Sequence, residues 1–108
     1  MANKELDLNK IEGFEWDEGN VNKSWNKHKV YYKEAEEIFF DKNLTISQDI
    51  KHSKVEDRFQ CLGKTNNNRL LFISFTLRRG RIRVVSARPA SRKERNKYEK
   101  KAKTNSKV

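Results

Sequence analysis

A chain of 108 residues, 34% hydrophobic and 37% charged, has material for one modest core and not for two, and its six Phe, two Trp and three Tyr argue for a folded domain rather than a disordered one. No run approaches the roughly 18 apolar residues of a membrane span, the start MANKELDLNK is polar where a signal peptide is apolar, and the lone Cys61 excludes an internal disulfide, so the expectation is a soluble, cytoplasmic protein with no membrane partner. Residues 1–54 carry 9 Lys against 11 acids, a net of −2, whereas residues 55–108 carry 16 Lys or Arg against 4 acids, a net of +12, which points to a polyanionic partner, nucleic acid or an acidic protein.

The chain reads as one domain over 1–108, folded from about 11 to 102 and with loose ends at 1–10 and 103–108. Phe14 and Trp16 alternate with Glu15 and Asp17, which predicts a short strand at 14–16. Asp17 is placed to cap a helix running to about His28, with Glu18 at the positive end of its dipole. Spacings of four and three put Val21, Trp25 and His28 on one face of that helix. A second helix is expected around Lys33 to Phe40, with Ala35, Ile38 and Phe39 as its apolar stripe and Asp41 to Asn43 as its end.

Leu44 to Ser47 reads as a weak strand, and the polar stretch Gln48 to Glu56 as a loop containing a solvated His52. Asp57 to Leu62 alternates as a strand stopped by Gly63, with Cys61 at a core position. After the turn Thr65 to Asn68, the run Arg69 to Leu77 is apolar on both faces and belongs centrally in a sheet. Arg78 to Gly80 is a tight turn, and Ile82 to Ala87 returns, so three consecutive strands form an antiparallel meander over about 57–88. Pro89 ends the strand, and Ser91 with Glu94 forms a capping box opening a last helix. Arg95, Tyr98 and Ala102 lie along one stripe of that helix, with Tyr98 docking on the core and Lys93, Lys97, Lys100 and Lys101 outward. The fold class is α+β: a small antiparallel sheet with two N-terminal helices and one C-terminal helix.

The most basic stretch, Gly80 to Arg95, sets Arg81, Arg83, Arg88, Arg92 and Arg95 on and after the last strand. Arginine forks match phosphate oxygens two at a time, although arginines on an exposed strand also keep a sheet soluble. Two separated His and one Cys give no metal-ligand spacing, the four glycines form no phosphate loop, and no cofactor is implied. Lys27, His28, Arg58, Arg83 and Arg88 could instead converge at one end of the sheet, an inventory suited to metal-free RNA cleavage: a base for the 2′-hydroxyl, cations for the phosphate and an acid for the leaving oxygen. His28 could equally be a hydrogen-bonded core histidine. Glu56 and Arg58, two apart on one strand face, could be an ion pair or an orienting carboxylate with its phosphate-binding arginine. A non-catalytic basic binding module is the alternative reading of the whole chain.

The segments FEWDEGNVNKSWNKHKV, EAEEIFFD, DIKHSKVEDRF, LGKT, LLFISFTLR and RIRVVSARPASRKERNKYE, in that order over about Phe14 to Glu99, resemble the BrnT-type toxins of type II toxin–antitoxin pairs. The resemblance implies a RelE-like fold and an endoribonuclease that inhibits translation and growth. It also implies neutralisation by a BrnA-like ribbon-helix-helix antitoxin, a 2:2 complex, and contact with operator DNA only through that antitoxin. Carried over by position it marks Lys27, His28, Glu56, Arg58, Arg88, Arg92, Glu94, Arg95 and Tyr98; with Arg83 added from the strand reading, the expectation is catalytic roles for Lys27, His28, Arg58, Arg88 and Tyr98 and RNA contacts for Glu56, Arg83, Arg92 and Arg95. Members usually carry asparagine where this chain has Ser24 and often glycine where it has Lys29. A helix ending there in a left-handed residue would cost on the order of 1 kcal/mol with lysine in place of glycine.

Overall fold

Because the run from Leu70 to Phe75 is apolar on both faces, it takes the position where both faces can be covered, the middle of a five-stranded sheet. A computed structural model describes residues 10–52 and 56–106. The reading of the leader before position 10, of the His52 side chain and of the last two residues lies outside the described residues. The strands are β1 (Gly13–Phe14), β2 (Thr45–Gln48), β3 (Arg58–Lys64), β4 (Leu70–Arg78) and β5 (Arg81–Pro89), in the order β1-β5-β4-β3-β2. The helices are α1 (Glu18–His28), α2 (Tyr32–Glu37) and α3 (Arg92–Ser106), with 3₁₀ turns at Ile38–Phe40 and Ile50–His52. Among the described residues, no helix is long and apolar enough to cross a membrane.

The meander is present as β3, β4 and β5, turned between β4 and β5 by Arg79 and Gly80, both at positive φ as a two-residue hairpin demands. The expectation of a wholly antiparallel sheet is corrected, since β1 pairs parallel to β5, with Gly13 opposite Arg81 and Phe14 opposite Ile82. A two-residue strand carries no orientation signal of its own; its direction follows from where the rest of the chain has already placed β5. The last helix continues to Ser106, past the point near Lys103 where the sequence suggests fraying.

Register divides the sheet into two faces. Phe59, Cys61, Leu71, Ile73, Phe75, Ile82, Val84 and Ala87 pack against Val30, Ala35, Ile38 and Phe39 from the α1–α2 side. A register shift after Ser74 leaves Val85 as an extra residue, so that Val84 and Ala87 both reach this core. Burial there pushes the Cys61 thiol upward in pKa, the inert behaviour of a core cysteine. On the other face Leu62, Leu70 and Tyr98 form a second, smaller cluster under α3.

The expected face of α1 is corrected as well. Asn20 and Ser24 are its buried residues, while Trp25 is 47% exposed. The helix lies along the β5 edge, where the Asn20 amide donates to the Val84 carbonyl at 3.2 Å and the Lys23 ammonium to the Val85 carbonyl at 3.4 Å. Covering a strand edge requires donors that meet its free carbonyls. Hydrophobic spacing does not report them.

The end of α1 agrees with expectation: Lys29 is left-handed at φ 54 and ψ 40, with its N–H bonded to the Trp25 carbonyl at 2.9 Å. Lysine pays a steric cost there that glycine avoids. Lys29→Gly is therefore expected to raise stability by about 0.5–1 kcal/mol despite losing the Lys29–Trp25 cation–π contact of 5.3 Å. A higher urea midpoint at unchanged slope is the check, and an unchanged or lower midpoint would refute it.

Candidate nucleic-acid interface on the open sheet face

The capping box predicted for α3 is made: the Ser91 hydroxyl accepts from the Glu94 N–H at 3.2 Å and the Glu94 carboxylate from the Ser91 N–H at 2.8 Å. From this start α3 crosses the sheet until Tyr98 reaches Leu62 and Leu70. Its hydroxyl donates to the Asp41 carboxylate, and burial first, then that carboxylate, pushes the phenol up in pKa. Burial works against the charged form of Asp41, yet the Tyr98 hydroxyl and the N–H groups of Asn43 and Lys64 hold it below the usual carboxylate range. Tyr98 is thus a docking side chain whose hydroxyl is already engaged.

Strand register places three rows across this face: Leu62–Phe72–Arg88, then Gln60–Ser74–Ser86, then Arg58–Thr76–Arg83. Neighbouring rows are two residues, about 7 Å, apart. Between the first two turns of α3 and the sheet is a groove of about 290 Å³, lined by Thr45, Ser47, Gln60, Leu62, Phe72, Lys93, Glu94 and Lys97. In the third row Thr76 is buried and its hydroxyl has no hydrogen-bond partner, leaving a polar group between two arginines.

Most of the arginines on or beside this face are held by carboxylates. The Arg88 guanidinium lies 4.3 Å over the Phe72 ring and donates to both Glu94 oxygens at 2.8 Å. The same pair holds Glu94 below the usual carboxylate range, with the Ser91 N–H adding to it. Arg83 donates to Glu15 at 3.1 Å and to Asp17 at 2.7 Å. The Asp17 carboxyl is lowered first by the Asn20 N–H it caps and then by Arg83. Glu56, which precedes β3, pairs with Arg78 at 3.3 Å and so ties the loop to the hairpin. Arg92 is exposed and Arg95 stands 3.9 Å from Glu99.

Arg58, Arg83 and Arg88 therefore share one sheet face, although Arg88 is two rows, about 13 Å, from the other two. Lys27 and His28 do not join them on that face. They end α1 beside β5, and His28 is half-buried rather than a core residue. Arg69 fixes their position by donating to the carbonyls of His28 at 3.2 Å and Lys29 at 3.0 Å while pairing with Glu34 at 2.8 Å. Sequence reading passes over Arg69 because its partners are 35 to 41 residues away and nothing local marks it. Among the described residues, no three His, Cys, Asp or Glu side chains gather as a metal-ligand set.

A family model described as the ribonuclease toxin BrnT of type II toxin–antitoxin systems matches residues 16–94. Among solved structures, the crystal structure of the Brucella abortus ribonuclease toxin BrnT is similar at 20% identity and TM-score 0.56, over 74% of this chain and 97% of that one. That likeness is one of fold. No curated protein matches.

Proposed function

This chain belongs to the BrnT family of ribonuclease toxins of type II toxin–antitoxin systems, and from that premise we propose that it cleaves RNA on the open face of its sheet. The observation that carries the proposal is that Arg58, Arg83 and Arg88 share one sheet face, beside the exposed Lys93 and Lys97. Carboxylate partners fix the orientation of Arg83 and Arg88 before any ligand arrives, as charge stabilisation of a reacting phosphate requires. In this reading the three arginines bind and neutralise phosphate, with Arg92 and Arg95 extending the contact along α3. Glu56 acts indirectly, by holding Arg78 at the hairpin. His28, the natural proton-transfer group near neutral pH, meets RNA that continues past Arg88 over the β5 edge, with Lys27 beside it. Tyr98 keeps a structural task.

The reading extends to a RelE-like, metal-independent endoribonuclease that inhibits translation and growth in the cytoplasm. A BrnA-like ribbon-helix-helix antitoxin neutralises it in a 2:2 complex, and operator DNA is contacted only through that partner. Expression of the chain alone is expected to arrest growth, and the purified protein to cut RNA in excess EDTA. RNA binding without new cleavage products would instead make it a non-catalytic basic module, and cleavage abolished by EDTA would remove metal independence.

A further inference from the structure

We propose that Asp41 is a positioning residue for RNA: through the Tyr98 hydroxyl it holds α3, and with it Lys93 and Lys97, against the open sheet face. This rests on RNA being the ligand of that face. A helix with seven Lys or Arg against two Glu over Arg92–Ser106 is repelled by a sheet face that itself carries Arg58, Arg83 and Arg88. From Arg92 to Thr104 only Tyr98 is buried, with Glu94 and Ala102 half-buried. The docking of α3 thus falls mainly on one side chain, set between Leu62 and Leu70.

Asp41 is tied to the body of the fold by its backbone and by its side chain. Its N–H donates to the Ile38 carbonyl at 3.1 Å and its carbonyl accepts from the Leu44 N–H at 3.0 Å, while its carboxylate accepts from the N–H groups of Asn43 at 2.9 Å and Lys64 at 2.8 Å. The carboxylate oxygen that takes the Lys64 N–H also takes the Tyr98 hydroxyl, so β3 and α3 meet on one atom. Three residues further along α3, the Lys101 ammonium donates to the Leu44 carbonyl at 3.0 Å, a second bond to the same segment. Four residues before Tyr98, Glu94 pairs with Arg88. Lys93 and Lys97 line the groove on the sheet face, whereas Asp41 and Tyr98 line a different cavity, of about 340 Å³, with Asn43, Lys64 and Asn66. Asp41 therefore reaches RNA through the placement of α3 and not by contact.

Tyr98→Phe keeps the ring between Leu62 and Leu70 and removes only the hydroxyl, and Asp41→Asn removes the charge that the hydroxyl donates to. Each is expected to raise the KM for RNA about three- to tenfold and to lessen its salt dependence, as the loss of one or two phosphate contacts does. With kcat within about threefold, the double variant should be no worse than the poorer single one, since both changes remove the same bond. Burial pushes the Tyr98 phenol up in pKa, so it stays protonated through the assay range and the pH profile of Tyr98→Phe should match that of the wild type. Hydrogen exchange should quicken over residues 95–102 and stay slow in β4. Wild-type KM in both single variants, or exchange that quickens equally in β4, would overturn the positioning role. So would a fall in kcat of about 100-fold with a shifted pH profile in Tyr98→Phe, which would make Tyr98 a proton-transfer group. A wild-type protein that binds RNA without cutting it removes the ribonuclease reading, and the same weakening then read in Kd keeps the positioning role, whereas failure to bind RNA removes both.

Discussion

Arg88→Ala is expected to leave a folded protein whose RNA cleavage falls about 100-fold or more, the cost of removing one preoriented donor from a developing oxyanion, and whose expression no longer arrests growth. The stacked position over Phe72 and the two bonds to Glu94 mean that Arg88 presents its remaining donors from a fixed plane at the groove edge. Its side chain is 37% exposed, so loss of the ion pair itself costs no more than about 1 kcal/mol. Glu94→Gln separates the two roles: it keeps an oxygen for the Ser91 N–H but loosens the clamp on a guanidinium that is still present, and should lower cleavage clearly less than Arg88→Ala does. If both variants lose cleavage together, or lose their folded state together, Arg88 is a structural partner of α3 and not a phosphate ligand.

Gly63→Ala is expected to destabilise the protein by about 2–3 kcal/mol, within the range of overpacked cores and a large share of the roughly 5–15 kcal/mol that holds a domain together. A Cβ built there would stand 2.9 Å from the Ile38 Cβ and 2.9 Å from the Ile38 carbonyl oxygen, with Leu44 Cδ1 at 3.2 Å. Ile38 is fully buried and part of the contact is with its backbone, so no rotamer change relieves it. The 3₁₀ turn after α2 would have to lift off β3, opening the core between Ile38 and Phe39 and the sheet. Denaturant unfolding measures this directly; wild-type stability in Gly63→Ala would show that the turn moves at little cost. The sequence reading of Gly63 as the residue that stops β3 is thereby replaced, since the strand continues through it to Lys64.

These two residues show what kind of information each level carried. The central place of β4, the meander, the cap at Asp17 and the box at Ser91 and Glu94 were legible, because each is set by side chains within a few positions of one another, whereas the left-handed Lys29 was signalled only by the glycine usual at that position in the family. The Glu94 spacing even named one of the Arg88 partners without naming the pair. By contrast, the edge-covering role of α1 was hidden, because the Asn20 amide, besides closing the cap at Asp17, donates to a strand carbonyl 64 residues away. The parallel β1, the clamp at Arg69 and the contact beneath Gly63 were hidden for the same reason.

By itself, then, the sequence determined the family motifs, the local caps and turns, the strand that had to lie centrally, and the basic character of the second half. Tertiary structure alone decided which cations share a surface: register aligned Arg58 with Arg83 and left Arg88 two rows away, while the path of α1 along the β5 edge kept Lys27 and His28 off that face. The physical reason is that periodicity fixes only the side of an element on which a residue stands, whereas proximity between residues on different elements depends on strand pairing and on the donors and acceptors that meet across the fold.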